Sequence, residues 1–159
     1  MTALALTLAL SLGGVDTLGP VTLGGLAFKG PTQWTKTQGE ANSITWSEPT
    51  SGAGLEVSVY PVDPQRPAQA CLKQMLDAVG RDGFTAVTIG TQPASKQITT
   101  DYVGNTDAEK TDANRVTTTT LLGCNGKTKF VLTWTAKTSA GARFGPILKR
   151  VLDSISYGK

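Results

Sequence analysis

The chain has 159 residues, of which 39% are hydrophobic and 17% are charged, and its formal net charge is +3. This length and composition fit one globular domain with one core and exclude an intrinsically disordered chain. The sequence contains no histidine, which excludes Ser-His-Asp catalysis, Cys-His catalysis and histidine-based zinc sites.

Residues 1–14 form an uncharged apolar run of signal-peptide length, which is too short to span a bilayer as a helix. We expect this run to be the remnant of an export signal, although it lacks a positively charged start. The alternative is an alternating strand over residues 3–12 inside the fold. Residues 15–25 are Gly-rich and are expected to form a flexible leader, so that the domain proper occupies residues 26–159.

Short strands are predicted in the first part of the domain. Leu26-Ala27-Phe28 is an apolar segment that Gly30-Pro31 ends. Residues 43–47 and residues 55–60 alternate apolar and polar side chains, as half-buried strands do. Turn residues separate these two segments, which therefore predict a hairpin.

A helix is predicted after the proline-bounded loop that follows. Pro67 suits the first turn of a helix, and Gly80 suits the position just after its end. The apolar residues between them recur with the spacing of one helix face: Ala68, Cys71, Leu72, Met75, Leu76 and Val79. This spacing predicts one continuous buried stripe.

Four further strands are predicted. Three lie at residues 84–89, 96–103 and 115–122, and the fourth follows the dipeptide Asn125-Gly126. This dipeptide is the strongest hairpin signal in the chain, because both residues accept a positive φ. The polar, acidic segment 101–114 is interpreted as a mobile loop. The returning strand is expected to bury, on one face, Phe130, Leu132, Trp134 and Ala136.

The chain ends in a second amphipathic pattern, in which Pro146 delays the regular helical hydrogen bonding. Its apolar stripe comprises Phe144, Ile147, Leu148, Val151, Leu152 and Ile155. Strands thus run consecutively between two helices. This order predicts an α+β fold, with a mostly antiparallel sheet and two packed helices.

The order of elements resembles the PsbP-like fold over about residues 26–157. The resemblance depends on Phe28-Lys29-Gly30-Pro31 with Trp34, on the hairpin strand from Gly126 to Ala136, and on the closing helix from Phe144 to Ile155. This superfamily includes photosystem II extrinsic proteins, nuclear-import relatives and bacterial DcrB-like envelope lipoproteins. The resemblance implies a bacterial envelope member without enzymatic activity. It implies no site residue, because no functional motif of the superfamily is matched residue by residue.

The chain has two cysteines, Cys71 and Cys124. An even number of cysteines in an exported chain favours a disulfide, which would tie the hairpin tip to the first helix. The alternative is two buried free thiols that act as small apolar side chains.

Carboxylates are the acid–base groups that remain without histidine. A hydrolase would need two of them facing each other in a cleft, with one pKa raised. Four carboxylates are considered: Glu40, Glu48, Glu56 and Asp101. The three glutamates are expected on exposed strand faces or loops.

Metal and ligand motifs are also weak. Two cysteines cannot form a structural zinc site alone, and the segment Asn105-x-Asp107-x-Glu109 departs from a calcium loop at Lys110 and Val116. We therefore predict no metal and no cofactor. The tryptophans offer a ligand-stacking alternative: Trp134 is expected in the core, whereas Trp34 and Trp46 belong either to the core or to a ligand surface.

Positive charge is concentrated in residues 127–159, where seven basic residues accompany one acid, Asp153. Such a region could contact an anionic membrane surface or an acidic partner. The favoured interpretation is a solvated helix face and a lysine-protected hairpin. Aromatic and basic residues do not interleave, so no nucleic-acid partner is predicted.

Together these features predict a non-enzymatic module, periplasmic or secreted, that binds a protein partner or an amphiphilic ligand through the sheet face or an adjacent groove. We expect a monomer. One alternative is a hydrolase that uses only carboxylates, and another is a self-assembling structural envelope protein. The sequence identifies neither the partner nor the binding residues.

Overall fold

The computed structural model describes residues 16–158 except residues 41 and 105. The predicted export signal and the alternative strand at residues 3–12 lie outside these residues. The described strands are β1 (Leu18–Leu23), β2 (Leu26–Pro31), β3 (Thr35–Gln38), β4 (Ser43–Ser47), β5 (Gly54–Pro61), β6 (Thr85–Ile89), β7 (Gln92–Tyr102), β8 (Arg115–Cys124), β9 (Thr128–Lys137) and β10 (Ser156–Tyr157). The helices are α1 (Ala68–Val79) and α2 (Gly141–Asp153).

The larger sheet has seven strands in the order β3-β4-β5-β9-β8-β7-β6, and all its described pairs are antiparallel. Hairpins join strands that follow one another, whereas the pairing of β5 with β9 joins the two halves of the chain. The predicted α+β architecture is thereby confirmed. The edge strand β3 and the two-residue strand β10 were not predicted, because both are too short or too polar to show alternation.

One face of this sheet carries the main core. Alternate residues of a strand point to the same face, and along β5 the residues Leu55, Val57 and Val59 are buried while Glu56 is exposed. Helix α2 lies on this face and buries Phe144, Ile147 and Val151 in the same core. The stripe predicted for this helix therefore faces the sheet, with Leu148 and Leu152 half-buried at its margin.

The smaller sheet, β1-β2-β10, corrects the predicted flexible leader. Residues 18–23 form β1, which pairs with β2 from Leu18 opposite Pro31 to Leu23 opposite Leu26. Gly24 makes the intervening turn with a φ of 54°, a value that favours glycine. A Cβ atom added to Gly19 would lie 2.8 Å from Cγ2 of Thr32. These glycines therefore serve tight turning and close packing.

The acidic segment after β7 contains two short 3-10 turns, at Asp107–Glu109 and Asp112–Asn114. Thr106 donates hydrogen bonds to the Glu109 carboxylate from both its amide and its hydroxyl, each at 2.9 Å. This carboxylate thus caps a turn. Among the described residues no group of three metal-ligating side chains converges, and Asn105 lies outside them.

Helix α1 packs on the opposite face of the large sheet, against β7 and β8. It begins after Pro67 and ends before Gly80, as the sequence predicts. Within the described part of the chain, no helix is long and apolar enough to cross a membrane.

Candidate binding groove

Helix α1 forms one wall of an open groove. Cys71 and Leu72 are buried against the sheet, Met75 and Leu76 are half-buried, and the Val79 side chain is 58% exposed. The prediction of one continuous buried stripe is therefore wrong at Val79. Helix α1 contacts β7 and β8, and its flank lines the groove together with residues of β5 and β9.

The floor of the groove is apolar. Leu122 of β8 and Val131 of β9 lie directly opposite each other. They point away from the main core, because their chain neighbours Leu121 and Leu132 are buried within it. The floor therefore belongs to the face that α2 leaves free.

The groove has a volume of about 550 Å³, within the usual range of small-molecule sites. Two of its apolar side chains are unusually exposed, Tyr60 at 48% and Val79 at 58%. Its described lining is mainly apolar and comprises Tyr60, Pro61, Gln74, Met75, Ala78, Val79, Leu122, Lys129 and Val131. An apolar lining with a few polar groups is typical of a site for a partly apolar ligand.

Polar residues limit the groove along the strands. On the same face, Thr120 lies two residues from Leu122 along β8, and Thr133 lies two residues from Val131 along β9. Two residues before Tyr60 is Ser58, whose hydroxyl donates a hydrogen bond of 3.1 Å to Ser43. Next to the groove, the apolar surface on this face is therefore bounded by polar residues of β5, β8 and β9.

Lys129 brings a positive charge to the groove. It pairs across the strands with Tyr60 on one side and with Cys124 on the other. None of the ion pairs between described residues involves Lys129 or Lys127. The second polar lining residue, Gln74, accepts a hydrogen bond of 2.7 Å from Arg66.

The predicted disulfide between Cys71 and Cys124 is present, with the two Cα atoms 6.2 Å apart. The two cysteines form a small cluster with Val62, and Met75 packs against it. This bridge fastens α1 to the end of β8. A disulfide of this kind is typical of extracytoplasmic proteins.

The hairpin tip after β8 explains how Cys124 reaches Cys71. Gly126 has a φ of 90°, and a Cβ atom there would lie 2.4 Å from the carbonyl oxygen of Arg66. The Arg66 amide donates to the Gly126 carbonyl, and the Val62 amide donates to the Lys127 carbonyl. The Asn-Gly dipeptide thus allows the tip to dock on the loop that precedes α1.

The tryptophans belong to the core. Trp34, Trp46 and Trp134 are each at most 5% exposed. The ring of Trp34 packs against those of Trp134 and Phe144, and that of Trp46 against Phe28. The ligand-stacking alternative for Trp34 and Trp46 is therefore wrong, because α2 and the smaller sheet cover this face.

The carboxylates considered for hydrolysis lie on different parts of the fold. Glu40 is exposed in the turn before β4, and Glu56 is exposed on the open sheet face. Asp101 lies on β7, with β8 and β9 between it and β5. Glu48 is 7% exposed, although it was expected on an exposed face or loop. The Ser51 hydroxyl and further donors lower the pKa of Glu48 to about 2, the opposite of the shift that a general acid needs.

The basic residues of the C-terminal region are dispersed. Arg143 pairs with Glu48, Lys149 pairs with Asp153, and Arg150 donates to the Asp16 carbonyl oxygen. Lys127 and Lys129 lie at the hairpin beside the groove. Lys159 lies outside the described residues.

The residues that distinguish the groove were not identified from the sequence. Val79 was assigned to a buried stripe, and Tyr60 was the polar-phase residue of a predicted strand. One signal was available for Tyr60, because an aromatic residue on the polar phase of a strand exposes apolar surface. Val79 carried no such signal, since periodicity does not show how much of a helix its neighbours cover.

Comparison with solved structures identifies the architecture. The fold is similar to that of cyanobacterial PsbP (CyanoP) from Synechocystis sp. PCC 6803, with a TM-score of 0.59 and 12% identity over 92% of this chain and 95% of that protein. It is also similar to a protein from Bacteroides thetaiotaomicron VPI-5482, with a TM-score of 0.63 and 15% identity over 85% of this chain. The match covers 46% of that Bacteroides protein, so the chain spans about half its length.

No protein-family model matches the chain, and no curated protein matches its sequence. At 12% and 15% identity, the structural likeness shows the fold and leaves function open. The expected relation to DcrB-like envelope proteins stays a prediction. The two structural matches show that the chain has a PsbP-like fold.

Proposed function

We propose that the chain is a non-enzymatic binding or accessory module, periplasmic or secreted, that engages a partner through the groove between α1 and the strands β5 and β9. The observation that carries this proposal is the bounded apolar groove, in which Tyr60 and Val79 expose large apolar side chains. Exposed apolar surface with a polar surround is typical of binding sites.

Two features support a location outside the cytoplasm. The Cys71–Cys124 disulfide needs an oxidising compartment in order to persist. The apolar run at residues 1–14 is predicted to be an export signal. A periplasmic protein and a secreted protein both fit these features.

Binding is favoured over catalysis by the groups that line the groove. Among the described lining residues the ionisable ones are Tyr60 and Lys129, and none is a carboxylate. The pKa of Glu48 is lowered by the Ser51 hydroxyl and its neighbours, so that this carboxylate is an ionised structural group at neutral pH.

A photo-cross-linking experiment tests the proposal. The photoreactive residue p-benzoylphenylalanine is introduced in place of Val79 and, as a control of equal exposure, in place of Ile98. After irradiation in envelope extract, we expect an adduct of defined mass at position 79 and none at position 98. Equal labelling at both positions, or no adduct at position 79, would count against the groove as a binding site.

Light scattering after size-exclusion chromatography separates this proposal from self-assembly. We expect a monomer at every concentration. Oligomers that grow with concentration, and that Val79→Asp abolishes, would instead support a self-assembling envelope protein.

A further inference from the structure

We propose that the groove binds a single-chain anionic amphiphile, with its acyl chain between α1 and the sheet and its negative head group at Lys129. This inference rests on the proposed function and specifies the occupant of the same site. Both ends of such a molecule have a counterpart among the groove residues.

The acyl chain is matched by the apolar part of the groove. Leu122 and Val131 form the floor, and Met75 and Val79 stand on the α1 side. The polar residues Thr120 and Thr133 follow on the same sheet face, so the apolar surface suits one chain of limited length. Burial of each methylene group in such a groove favours binding.

The head group is matched by unpaired positive charge. Lys129 lines the groove, and Lys127 lines the adjoining depression together with Tyr60 and Pro61. Neither lysine forms an ion pair with a described residue. An ammonium group in this position attracts a carboxylate or phosphate and repels a cation.

Negative charge near the groove is already paired or lies outside it. Asp77 of α1 pairs with Lys73 and Arg81 of the same helix. Asp63 is exposed on the loop after β5 and does not line the groove. The charge at this end of the groove is therefore complementary to an anion.

The shape of the groove favours a small molecule over an amphipathic helix of another protein. A docked helix places apolar anchors over several turns, whereas toward Ser58, Thr120 and Thr133 the apolar surface here ends within two residues on each strand. A volume of about 550 Å³ is of the size that holds one small ligand.

The test is a titration of ¹⁵N-labelled protein, followed by NMR chemical shifts, with three detergent-like probes below their micelle concentrations. Dodecanoate is the anionic probe, dodecyl maltoside the neutral one, and dodecyltrimethylammonium the cationic one. We expect dodecanoate to bind tightest, with shifts confined to α1, β5, β9 and the part of β8 around Leu122. We expect dodecyltrimethylammonium to bind weakest.

Four variants assign the two ends of the ligand. Lys129→Gln should weaken dodecanoate binding about tenfold, the effect of losing one charge-assisted hydrogen bond, and should leave dodecyl maltoside unchanged. Lys137→Gln, an exposed lysine on the same strand, is the charge control. Val79→Asp should weaken both probes, whereas Ile98→Asp, of equal exposure, should weaken neither.

Three results would overturn the inference and leave the groove as a binding site. These are equal binding of the anionic and cationic probes, an unchanged dodecanoate affinity in Lys129→Gln, and binding of a protein segment at Val79 with no binding of dodecanoate. Binding to phosphatidylglycerol vesicles but not to monomeric dodecanoate would overturn it in favour of a membrane surface. If neither the probes nor the cross-linker detect a ligand at the groove, both the inference and the proposed function fail.

Discussion

Glu48 shows at the scale of one residue how a buried carboxylate is kept ionised. Its Oε2 atom accepts hydrogen bonds of 2.6 Å from both the amide and the hydroxyl of Ser51, and further bonds come from Thr50. Its Oε1 atom lies 3.3 Å from the Arg143 guanidinium of α2. The side chain therefore closes the turn between β4 and β5 and ties it to the helix.

We expect Glu48→Gln to lower the free energy of unfolding by about 1–3 kcal/mol near neutral pH, because the buried donors lose a charged acceptor. The pKa of Glu48 is lowered from its ordinary value of 4.5 to about 2, first by the Ser51 hydroxyl. This contribution is therefore complete above pH 4.5 and is lost as the pH falls toward 2.

Urea unfolding of the native chain and of Glu48→Gln across this pH range checks the prediction. The difference between the two should shrink with acidification. Glu56→Gln, on the exposed phase of β5, is the control and should change stability by less than about 0.5 kcal/mol. A difference for Glu48→Gln that stays constant with pH would show that ionisation is not its cause.

At the scale of elements, α1 is a helix whose apolar stripe is only partly covered. Helix α1 contacts the strands β7 and β8, and its side chains Cys71 and Leu72 are buried. Its other flank, with Val79, stands over β9 and β5 and contributes to the groove. The apolar stripe of α1 thus has one side packed against the sheet and one side that lines the groove.

Substitutions on the two sides of α1 should differ in their effect on the free energy of unfolding. Leu72→Ala should lower the free energy of unfolding by about 2–4 kcal/mol, because it leaves a cavity in a packed site. Val79→Ala should change it by less than about 0.5 kcal/mol, because the side chain is 58% exposed. Urea denaturation measures both, and a similar loss in the two variants would show that the groove is closed in solution.

The disulfide joins α1 to the β8–β9 hairpin over a sequence separation of 53 residues. The double variant Cys71→Ala/Cys124→Ala should unfold more easily by about 2–4 kcal/mol, because the unfolded chain gains freedom without the bridge. Reduction of the native chain should give a loss of the same size. An unchanged urea midpoint in both cases would contradict this role.

At the scale of the whole molecule, the main core lies between the seven-stranded sheet and a second layer made of α2 and the smaller sheet. Leu23 of β1, Leu26 and Phe28 of β2, and Val151 of α2 all belong to one cluster. Strand β1 is therefore part of the domain. On the opposite face, α1 is the one helix among residues 16–158, and the groove lies beside it.

A pair of shortened chains checks this boundary. A chain that begins at residue 26 should melt at a clearly lower temperature than one that begins at residue 16, because β2 loses its β1 partner and buried apolar surface becomes exposed. Circular dichroism during heating measures the difference. Equal melting temperatures would restore the interpretation of residues 15–25 as a leader.

The sequence by itself determined the features that depend on local chemistry. Alternation along residues 55–60, the stripe from Phe144 to Ile155 and the Asn125-Gly126 turn are each written within a few neighbouring residues, so the α+β order could be predicted. The cysteine pair was predictable as one of two possibilities. Binding through the sheet face or an adjacent groove was expected, but no residue of the groove was predicted.

Only the tertiary structure decided which apolar surface stays uncovered. The sequence of the Gly-rich segment before residue 26 fits a linker and a tightly packed strand equally well. The close contact between Gly19 and the Thr32 side chain shows that the segment is packed. Val79 continues the same stripe as Leu72, yet Leu72 is buried whereas Val79 is exposed at the groove. Periodicity shows which side of an element is apolar, whereas the extent of burial depends on neighbours that are distant in the chain.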